Sequence, residues 1–547
     1  MRDWDQAFDR FSVEVFQWMF WLLGAIAEQV AAAWAWLPED WHPAIKVLVL
    51  LFSAIVALRL IGMGVRGAIH SAGWPLRQLG LWRLKRKSPY GRASWAGWDE
   101  LRRAGMLNPG GLFLGQWQGR ARQADLFRHG EGHLLTIAGA GAGKTTGMVI
   151  PALLEGREGA FIVTDPKAQL AAMTANYRRS LGEVFFINPF AGELAAQTGV
   201  ALPDSGFNPL SVLEPGYNLK DDAANLARLL MVTDRRDSGS YWNDEAAGLL
   251  ALFMVWMVLR EPQKNRTLAY LWQIVRESKT QLQQRFTWMA AEKSHPYLKA
   301  EGTKFLDLLQ IGPQWQGVIS KAQLATDRYA PQTPLGDHTA KDGLNLARLK
   351  QENITIYLMV PTGRIRVAAP WLNMLMGVFG LAIGRPGPAR PVYMLMDEAP
   401  ALGFLPDLRN HLRESREAGM RAWIFSQTRA ALAAPDLYGD NGFDDLMGLC
   451  ETRSFFSIGE PVLARQISEM LGETSAVNRT KGDVGGRDRD NVNIVGVPLL
   501  RPEEILRMKK GNQVIVRTGG SPVQSRIAPY WIRDKWAKNV DQNPYRK

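Results

Sequence analysis

The sequence predicts an α/β fold in which a parallel sheet, covered by helices on both faces, is interrupted by an all-helical insertion and preceded by two apolar helices. Three observations support this class. Short apolar runs alternate with helix-compatible segments from about residue 131 onward, these runs disappear between about 217 and 330, and two long apolar stretches lie within the first 61 residues. Alternating strands and helices are typical of parallel sheets, which bind ligands at the carboxyl ends of their strands.

The first element is a pair of candidate membrane-spanning helices. Residues 15–37 are mostly apolar with Glu28 as the one charge, and residues 44–61 are apolar apart from Lys46 and Arg59 near the two ends. A spanning helix needs about 20 apolar residues, and charges near its ends can reach the interface. We therefore expect a transmembrane hairpin within residues 1–75. The alternative is an amphipathic hairpin that packs on the protein body or lies on the membrane.

The charges around this hairpin predict its orientation. The connector at 38–43 contains no Lys or Arg, whereas residues 66–92 contain seven basic side chains and no acid. Because basic flanks stay on the cytoplasmic side, both termini are expected inside and the connector outside.

Composition limits the cofactors and partners. The chain has 547 residues, a net charge of +12 and a single cysteine, Cys450, so no internal disulfide is possible. The seven histidines are scattered, and we expect no protein-ligated zinc or iron. The basic charge suits a polyanionic partner or an acidic membrane surface.

The most informative motif is AGAGAGKT at 138–145, between an apolar run and a helix-compatible run. Small residues let backbone N–H groups surround a polyphosphate, while the lysine reaches the terminal phosphates and the threonine binds Mg²⁺. The usual first glycine is Ala138, a position expected to need a small side chain more than a positive φ. The alternative is a flexible loop beside a chance Gly-Lys-Thr. The predicted nucleotide contacts are Gly139, Ala140, Gly141, Ala142, Gly143, Lys144, Thr145 and Thr146, with Thr145 as a metal ligand.

Helical spacing replaces strand-like runs between about 217 and 330, which predicts the all-helical insertion. Within it, residues 246–259 are predicted to form a buried helix, because 14 residues are too few to span a membrane. Residues 478–493 are rich in glycine and charge and are predicted to be a mobile loop. The strands are predicted at 134–137, 161–164, 184–187, 355–360, 392–396, 423–425, 454–458 and 514–516.

The second half of a nucleotide site is predicted at Asp397 and Glu398, after the apolar run 393–396. At the carboxyl edge of the sheet, Asp397 would hold Mg²⁺ and Glu398 would polarise the attacking water. The alternative is a strand that ends in an acidic turn. Gln427 ends another predicted strand and could contact the γ-phosphate or only cap that strand. Arg416 precedes that strand and could reach the nucleotide of a neighbouring subunit.

Together these residues resemble the coupling proteins of bacterial type IV secretion and conjugation, the TraG-like family. The resemblance covers about residues 90–520 and depends on the order of the motifs, since each is weak alone. The matching segments are GRASWA at 91–96, the glycine-rich loop followed by VIP at 149–151, TDPK at 164–167, FNPL at 207–210, YW at 241–242, DE at 397–398, Arg416 with Gly419, Gln427, YG at 438–439 and LG at 471–472.

The resemblance implies a membrane-anchored, RecA-like P-loop ATPase that uses ATP and Mg²⁺ and works as a homo-hexamer. The helical insertion resembles the family's all-alpha domain. Residues 165–167 match a family motif whose role we cannot derive, although Asp165 at a strand end could contact the catalytic water. The implied roles are nucleotide and Mg²⁺ binding for Lys144 and Thr145, metal binding for Asp397, water activation for Glu398, a finger supplied in trans for Arg416 and a γ-phosphate sensor for Gln427.

The predicted function is that of a bacterial inner-membrane ATPase that couples a substrate to a type IV secretion channel. The implied partners are channel components and either a relaxase–single-stranded DNA complex or protein effectors. The predicted domains are the hairpin at 1–75, the two parts of the nucleotide-binding domain at 76–216 and 336–547, and the insertion at 217–335.

Three alternatives remain at this stage. A double-stranded DNA pump of the FtsK/HerA type shares the core but usually carries a C-terminal DNA-reading domain, which we do not find after Arg517. A docking receptor would bind nucleotide with little hydrolysis. A membrane transporter would need more than two marginal spans.

Overall fold

The computed structural model describes residues 90–231, 240–387, 390–405, 408–483 and 488–546, together with separate positions between 21 and 59. They belong to two compact units, one of residues 92–474 with 498–547 and one of residues up to 91 with 475–497. The larger unit contains an eleven-stranded sheet. The predicted α/β class is confirmed.

Strands occur along most of the described chain. They are β1 (Leu112–Gln118), β2 (Gln123–Arg128), β3 (His133–Ala138), β4 (Ala160–Thr164), β5 (Glu183–Ile187), β6 (Ile354–Leu358), β7 (Val392–Met396), β8 (Met420–Ser426), β9 (Cys450–Phe456), β10 (Glu473–Asp483), β11 (Asp488–Pro498), β12 (Asn512–Arg517) and β13 (Val523–Arg526).

Helices connect these strands. They are α1 (Trp98–Arg103), α2 (Ile150–Glu155), α3 (Gln169–Arg179), α4 (Ala191–Thr198), α5 (Leu219–Leu230), α6 (Ser240–Arg260), α7 (Leu268–Ile274), α8 (Lys279–Ala290), α9 (Pro296–Leu308), α10 (Gly312–Thr326), α11 (Pro334–Thr339), α12 (Ile365–Gly384), α13 (Leu408–Glu414), α14 (Arg429–Leu432), α15 (Gly439–Leu449), α16 (Pro461–Leu471), α17 (Pro502–Leu506) and α18 (Asp534–Ala537).

The main sheet has the order β2-β1-β13-β12-β9-β3-β8-β7-β4-β6-β5. Strands β9 to β5 in this order are parallel, and the other four pair antiparallel. All eight predicted strands are present, but β12, predicted at 514–516 as part of the parallel sheet, is antiparallel to both neighbours. Strands β1, β2 and β13 were not predicted.

Both faces of the sheet are buried. Successive side chains of a strand point to opposite faces, so Phe161 and Leu395 join one core while Ile162 and Met394 join the other. The first core includes residues of α2, α3 and α18, and the second includes residues of α5 to α13. Burial on both faces explains why the central strands read as continuous apolar runs.

The described chain between β5 and β6 contains helices α4 to α11 and no strand, which confirms the predicted helical character of this region. The buried helix predicted at 246–259 lies within α6, where residues 249–255 are at most 1% exposed. The division into domains at 217 and 335 stays a prediction. Helices α5 to α11 reach from residue 219 to residue 339, and their core is continuous with that of the sheet.

The prediction of a loop at 478–493 is wrong for the described residues of that segment. These residues lie in a two-stranded sheet of β10 and β11. The glycine- and charge-rich composition predicted a loop because it lacks an apolar run. A two-stranded ribbon is held by backbone hydrogen bonds and does not need such a run. Residues 484–487 lie outside the described residues.

Most of the predicted hairpin at 1–75 also lies outside the described residues. The described positions include an apolar helix at Ala44–Ser53, on which Leu48 and Phe52 are 65% and 70% exposed. Two helices, Tyr241–Arg260 and Thr362–Gly384, are long and apolar enough to cross a membrane, but 61% of each apolar window is buried. We interpret these two as core helices, and the hairpin stays a prediction.

Candidate nucleotide site

The glycine-rich loop follows β3 and enters α2 through a wide helical turn at Thr145–Val149. Gly141 and Gly143 have φ values of +65° and +97°, a region that glycine adopts without strain. At Gly139 the constraint is close packing, because a Cβ there would lie 2.6 Å from the carbonyl oxygen of Ser457.

Lys144 extends back along this loop, and its Nζ donates a hydrogen bond to the carbonyl of Ala138 at 2.8 Å. Ala138 is the fully buried last residue of β3, which agrees with the expected need for a small side chain. Burial lowers the pKa of Lys144, and the charges of Asp397 and Glu398 act in the opposite direction. The ammonium group therefore lies within electrostatic reach of both acids.

The acid pair follows β7, which is separated from β3 by β8 alone. Thr145 Oγ1 donates to Asp397 Oδ2 at 3.3 Å, and Thr164 Oγ1 donates to the carbonyl of Asp397 at 3.2 Å. Burial and the nearby Glu398 raise the pKa of Asp397 to about 6, against the opposing charge of Lys144. The structure thus brings the loop and the acid pair together, although they are remote along the chain.

Glu398 has a left-handed backbone with φ 57° and ψ 53°, which is unusual for a residue with a side chain and is often found at functional sites. Its Oε1 accepts a hydrogen bond from Gln427 Nε2 at 2.7 Å. Gln427 follows β8, so three adjacent strands deliver the loop, the glutamine and the acids to one edge of the sheet.

A cleft at this edge has an unsatisfied oxygen in its wall. Asp397 Oδ1 is buried and has no hydrogen-bond partner in the described part of the chain. Carboxylate and hydroxyl oxygens are the ligands that Mg²⁺ prefers, and the adjacent loop has the small residues that a phosphate chain requires. The residues present therefore fit a metal-bound polyphosphate. The cleft is lined by Thr145, Asp165, Pro166, Lys167, Gln169, Leu170, Asp397 and Glu398.

Asp165 has a structural role that sequence reasoning did not find. Its carboxylate accepts the backbone N–H groups of Gln169 and Ala171 at 3.0 and 2.7 Å, so it caps the start of α3. Burial raises the pKa of Asp165 to about 7, while these N–H groups oppose that rise. The capped turn carries Lys167 into the cleft. The motif at 164–167 was the available signal for Lys167, which was not predicted as a site residue.

Arg416 is not brought to this site. It lies in the turn before β8, where its carbonyl accepts the N–H of Gly419 at 3.1 Å. The seven residues of β8 advance about 3.3 Å each, so Arg416 lies roughly 20 Å from the glycine-rich loop. A role as a finger therefore requires a second subunit.

The sheet order and the convergence of these groups define a RecA-like P-loop NTPase. A family model described as "Type IV secretory system Conjugative DNA transfer" matches residues 94–545. The chain belongs to this family, which confirms the resemblance found in the sequence.

Individual relatives agree with this family. The chain is 23% identical over 505 residues to "Conjugal transfer protein TraG" of Escherichia coli, covering 81% of this chain and 77% of that protein. It is 22% identical over 441 residues to "Type IV secretion system-coupling protein VirD4" of Bartonella quintana, covering 76% of this chain and 65% of that protein. The chain thus spans less than two thirds of the length of this second relative.

Solved structures show the same fold. The unbound coupling protein TrwBdeltaN70 has a TM-score of 0.54 at 15% identity, over 80% of this chain and 93% of that chain. TrwB in complex with the ATP analogue ADPNP also has a TM-score of 0.54 at 15% identity, over 81% of this chain and 95% of that chain.

Proposed function

We propose that the chain is the coupling ATPase of a type IV secretion system, which hydrolyses ATP with Mg²⁺ and uses the cycle to transfer conjugative DNA. The observation that carries the proposal is the convergence of Lys144 and Thr145 with Asp397 and Glu398. Family membership supports the secretion role, and the TrwB structures with ADPNP and with ADP and Mg²⁺ support the ligands.

Each site residue then has a chemical role. Backbone N–H groups of residues 139–146 cradle the phosphates, and the Lys144 ammonium balances their charge. Thr145 and Asp397 hold Mg²⁺, which when bound neutralises charge on the phosphoryl oxygens. Glu398 orients the attacking water and accepts its proton. Gln427, the proposed γ-phosphate sensor, also positions Glu398 through their hydrogen bond.

We propose that catalysis takes place at subunit interfaces. The position of Arg416 supports this, because Arg416 lies too far from the site of its own chain to act there. We propose a homo-hexameric ring that is anchored in the bacterial inner membrane by the hairpin at 1–75, with both termini cytoplasmic. The helices at 217–335 form an insertion domain. The partners are channel components and a relaxase–single-stranded DNA complex, with protein effectors as the alternative cargo.

ATP turnover by the purified full chain tests the enzymatic part of this proposal. We expect Lys144→Ala to abolish phosphate release, because the phosphate charge is no longer balanced. Glu398→Gln should retain nucleotide binding but stall turnover. Lys510→Ala, which changes an exposed lysine, serves as the control and should match the wild type. Unchanged turnover in Lys144→Ala would contradict the proposal.

Binding of single-stranded DNA at several salt concentrations tests the cargo. DNA binding through phosphate contacts weakens steeply as salt rises. A steep decline in affinity is the expected result, and no measurable binding at low salt would favour protein cargo instead.

A further inference from the structure

Four arginines lie at the amino edge of the sheet, opposite the edge that holds the candidate nucleotide site. Arg421 is the second residue of β8, Arg517 is the last residue of the antiparallel β12, and Arg128 is the last residue of β2. Arg416 lies in the turn before β8. We call these four residues the arginine cluster.

Strand pairing brings these positions together. Arg517 pairs with Thr452 on β9, and the neighbouring Glu451 forms an ion pair of 2.7 Å with Arg128. Burial lowers the pKa of Arg128, the ion pair with Glu451 opposes this, and the charges of Arg517, Arg421 and Arg416 each lower it further. Arg517, Arg421 and Arg416 therefore all lie within electrostatic range of the Arg128 guanidinium.

The positive charge of the arginine cluster is poorly compensated. Within the described residues, Glu451 is the one acid that forms an ion pair with any of its members. The Nε atoms of Arg128 and Arg421 are also buried without a hydrogen-bond partner in the same part of the chain. Like charges held at short range repel one another, which costs free energy. A multivalent anion would offset this repulsion, and its oxygens would accept hydrogen bonds from the two unpaired Nε atoms.

Rigid elements hold this arrangement. A Cβ on Gly130 would overlap the guanidinium of Arg128, and a Cβ on Gly132 would overlap the carboxylate of Glu451, so the turn between β2 and β3 packs tightly around this ion pair. His133 Nδ1 then accepts the N–H of Ala422 on β8 at 3.1 Å, which ties the starts of β3 and β8 together. Preorganised donors of this kind suit anion binding.

The chain's own nucleotide cannot reach the arginine cluster, because the lengths of β3 and β8 separate the two edges. Head-to-tail association in a ring brings one face of a subunit against a different face of the next, which allows these two edges to meet. Guanidinium forks match phosphate oxygens in geometry and charge.

We propose that the arginine cluster binds the terminal phosphates of a nucleotide held by a neighbouring copy of the chain. Arg128, Arg421 and Arg517 thereby join Arg416 in completing the site in trans. The inference rests on the proposed ATPase function.

Single variants of the full chain give the first test. Arg421→Gln and Arg517→Gln should each lower ATP turnover about tenfold or more, the usual effect of losing a charged donor to a transition state. Binding of a fluorescent ATP analogue should change less than twofold, because the nucleotide's own subunit is intact. Arg421→Lys should retain part of the turnover, and Arg507→Gln, an exposed arginine outside the cluster, should match the wild type.

Mixing the inactive Lys144→Ala variant with the impaired Arg421→Gln variant tests the trans arrangement. Lys144→Ala subunits retain the arginine cluster, while Arg421→Gln subunits retain the nucleotide site, so mixed rings should regain turnover well above the sum of the separate variants. Failure to regain it, or wild-type turnover in both Arg421→Gln and Arg517→Gln, would overturn the inference while leaving the ATPase proposal intact. Loss of single-stranded DNA binding with normal turnover would assign the cluster to nucleic-acid phosphates and also overturn it. No turnover in the wild type would instead contradict the proposed function.

Discussion

Glu398 illustrates how single residues set the chemistry of this site. Its left-handed backbone and the hydrogen bond from Gln427 fix the direction of its carboxylate. A non-glycine residue in this conformation costs roughly 1 kcal/mol, so the surrounding structure must maintain it. The N–H of Ala401 donates to the Glu398 carbonyl at 2.8 Å and anchors the backbone of this turn, while the amide of Gln427 holds the carboxylate.

We expect Gln427→Ala to lower kcat by about 10- to 100-fold, since a hydrogen bond to a charged group contributes roughly 1.5–3 kcal/mol. Nucleotide affinity should change little, because Gln427 contacts Glu398 and not the glycine-rich loop. Steady-state phosphate release and nucleotide titration measure the two quantities. Gln283→Ala, at an exposed position on α8, is the matched control, and an unchanged kcat in Gln427→Ala would contradict this role.

Asp204 is a second residue with a measurable contribution. Burial alone would raise its pKa, but the bond to His338 at 2.8 Å and the N–H groups of Asn188 and Gly206 hold the pKa at about 2. Because the unfolded chain binds this proton more tightly, the stabilisation is present above about pH 4 and is lost as pH falls toward 2.

Asp204→Asn should therefore destabilise the protein by about 2 kcal/mol at pH 7, because the pKa of Asp204 is about 2 in the folded protein and 3.8 ordinarily. The difference from the wild type should shrink progressively below pH 4. Thermal or urea unfolding of both proteins between pH 2 and pH 7 measures it, and a difference that does not depend on pH would contradict the account.

Among the elements, the glycine-rich loop packs closely against Ser457, which follows β9. A Cβ at Gly139 would meet the backbone oxygen of Ser457 at 2.6 Å, and backbone cannot yield as a flexible side chain can. Gly139→Ala should therefore displace the loop and weaken nucleotide binding about tenfold or more, from the roughly 1–3 kcal/mol that overpacking costs. Gly192→Ala, where a Cβ meets nothing within 4 Å, is the control. Equal nucleotide affinity in the two variants would show that the loop tolerates the added group.

The elements also show what the sequence could predict. The central strands were found because burial on both faces leaves an unbroken apolar run, as in β7. Strand β1 has an apolar run of only three residues at 112–114 before it becomes polar and partly exposed. Strands β2 and β13 mix buried positions with exposed or partly exposed ones, so none of the three has the longer run of a central strand. The direction of β12 depends on chain reversals that no local pattern encodes.

The same distinction applies to the candidate site. Lys144, Thr145 and the acid pair were predicted because their motifs specify phosphate and metal chemistry. Lys167 and the capping role of Asp165 were missed, since both depend on how the chain turns after β4. The arginine cluster could not be predicted, because register alone brings its members together.

At the scale of the whole molecule, the C-terminal segment supports the nucleotide site from outside. Glu155 on α2 accepts a hydrogen bond from Trp536 Nε1 at 2.6 Å and forms an ion pair with Lys535. The Tyr545 hydroxyl donates to the carbonyl of Lys167 at 2.7 Å. The last residues of the chain thus contact both the helix after the glycine-rich loop and the turn that lines the cleft.

Trp536→Ala should lower stability by about 3–5 kcal/mol, the usual cost of removing a buried aromatic side chain, since Trp536 is only 2% exposed. The melting temperature of the purified protein measures this loss. Trp531→Ala provides the control, because Trp531 is 48% exposed and should have a small effect. Equal melting temperatures for the two variants would show that the C-terminal segment does not stabilise the fold.

The central claim is that the glycine-rich loop and the acid pair share one metal-bound triphosphate. Electron paramagnetic resonance of Mn²⁺, in the presence of a non-hydrolysable ATP analogue, tests it most directly. We expect nucleotide-dependent binding of one Mn²⁺ per chain in the wild type, and much weaker binding in both Asp397→Asn and Lys144→Ala. Equally tight Mn²⁺ binding in the wild type and Asp397→Asn would contradict it.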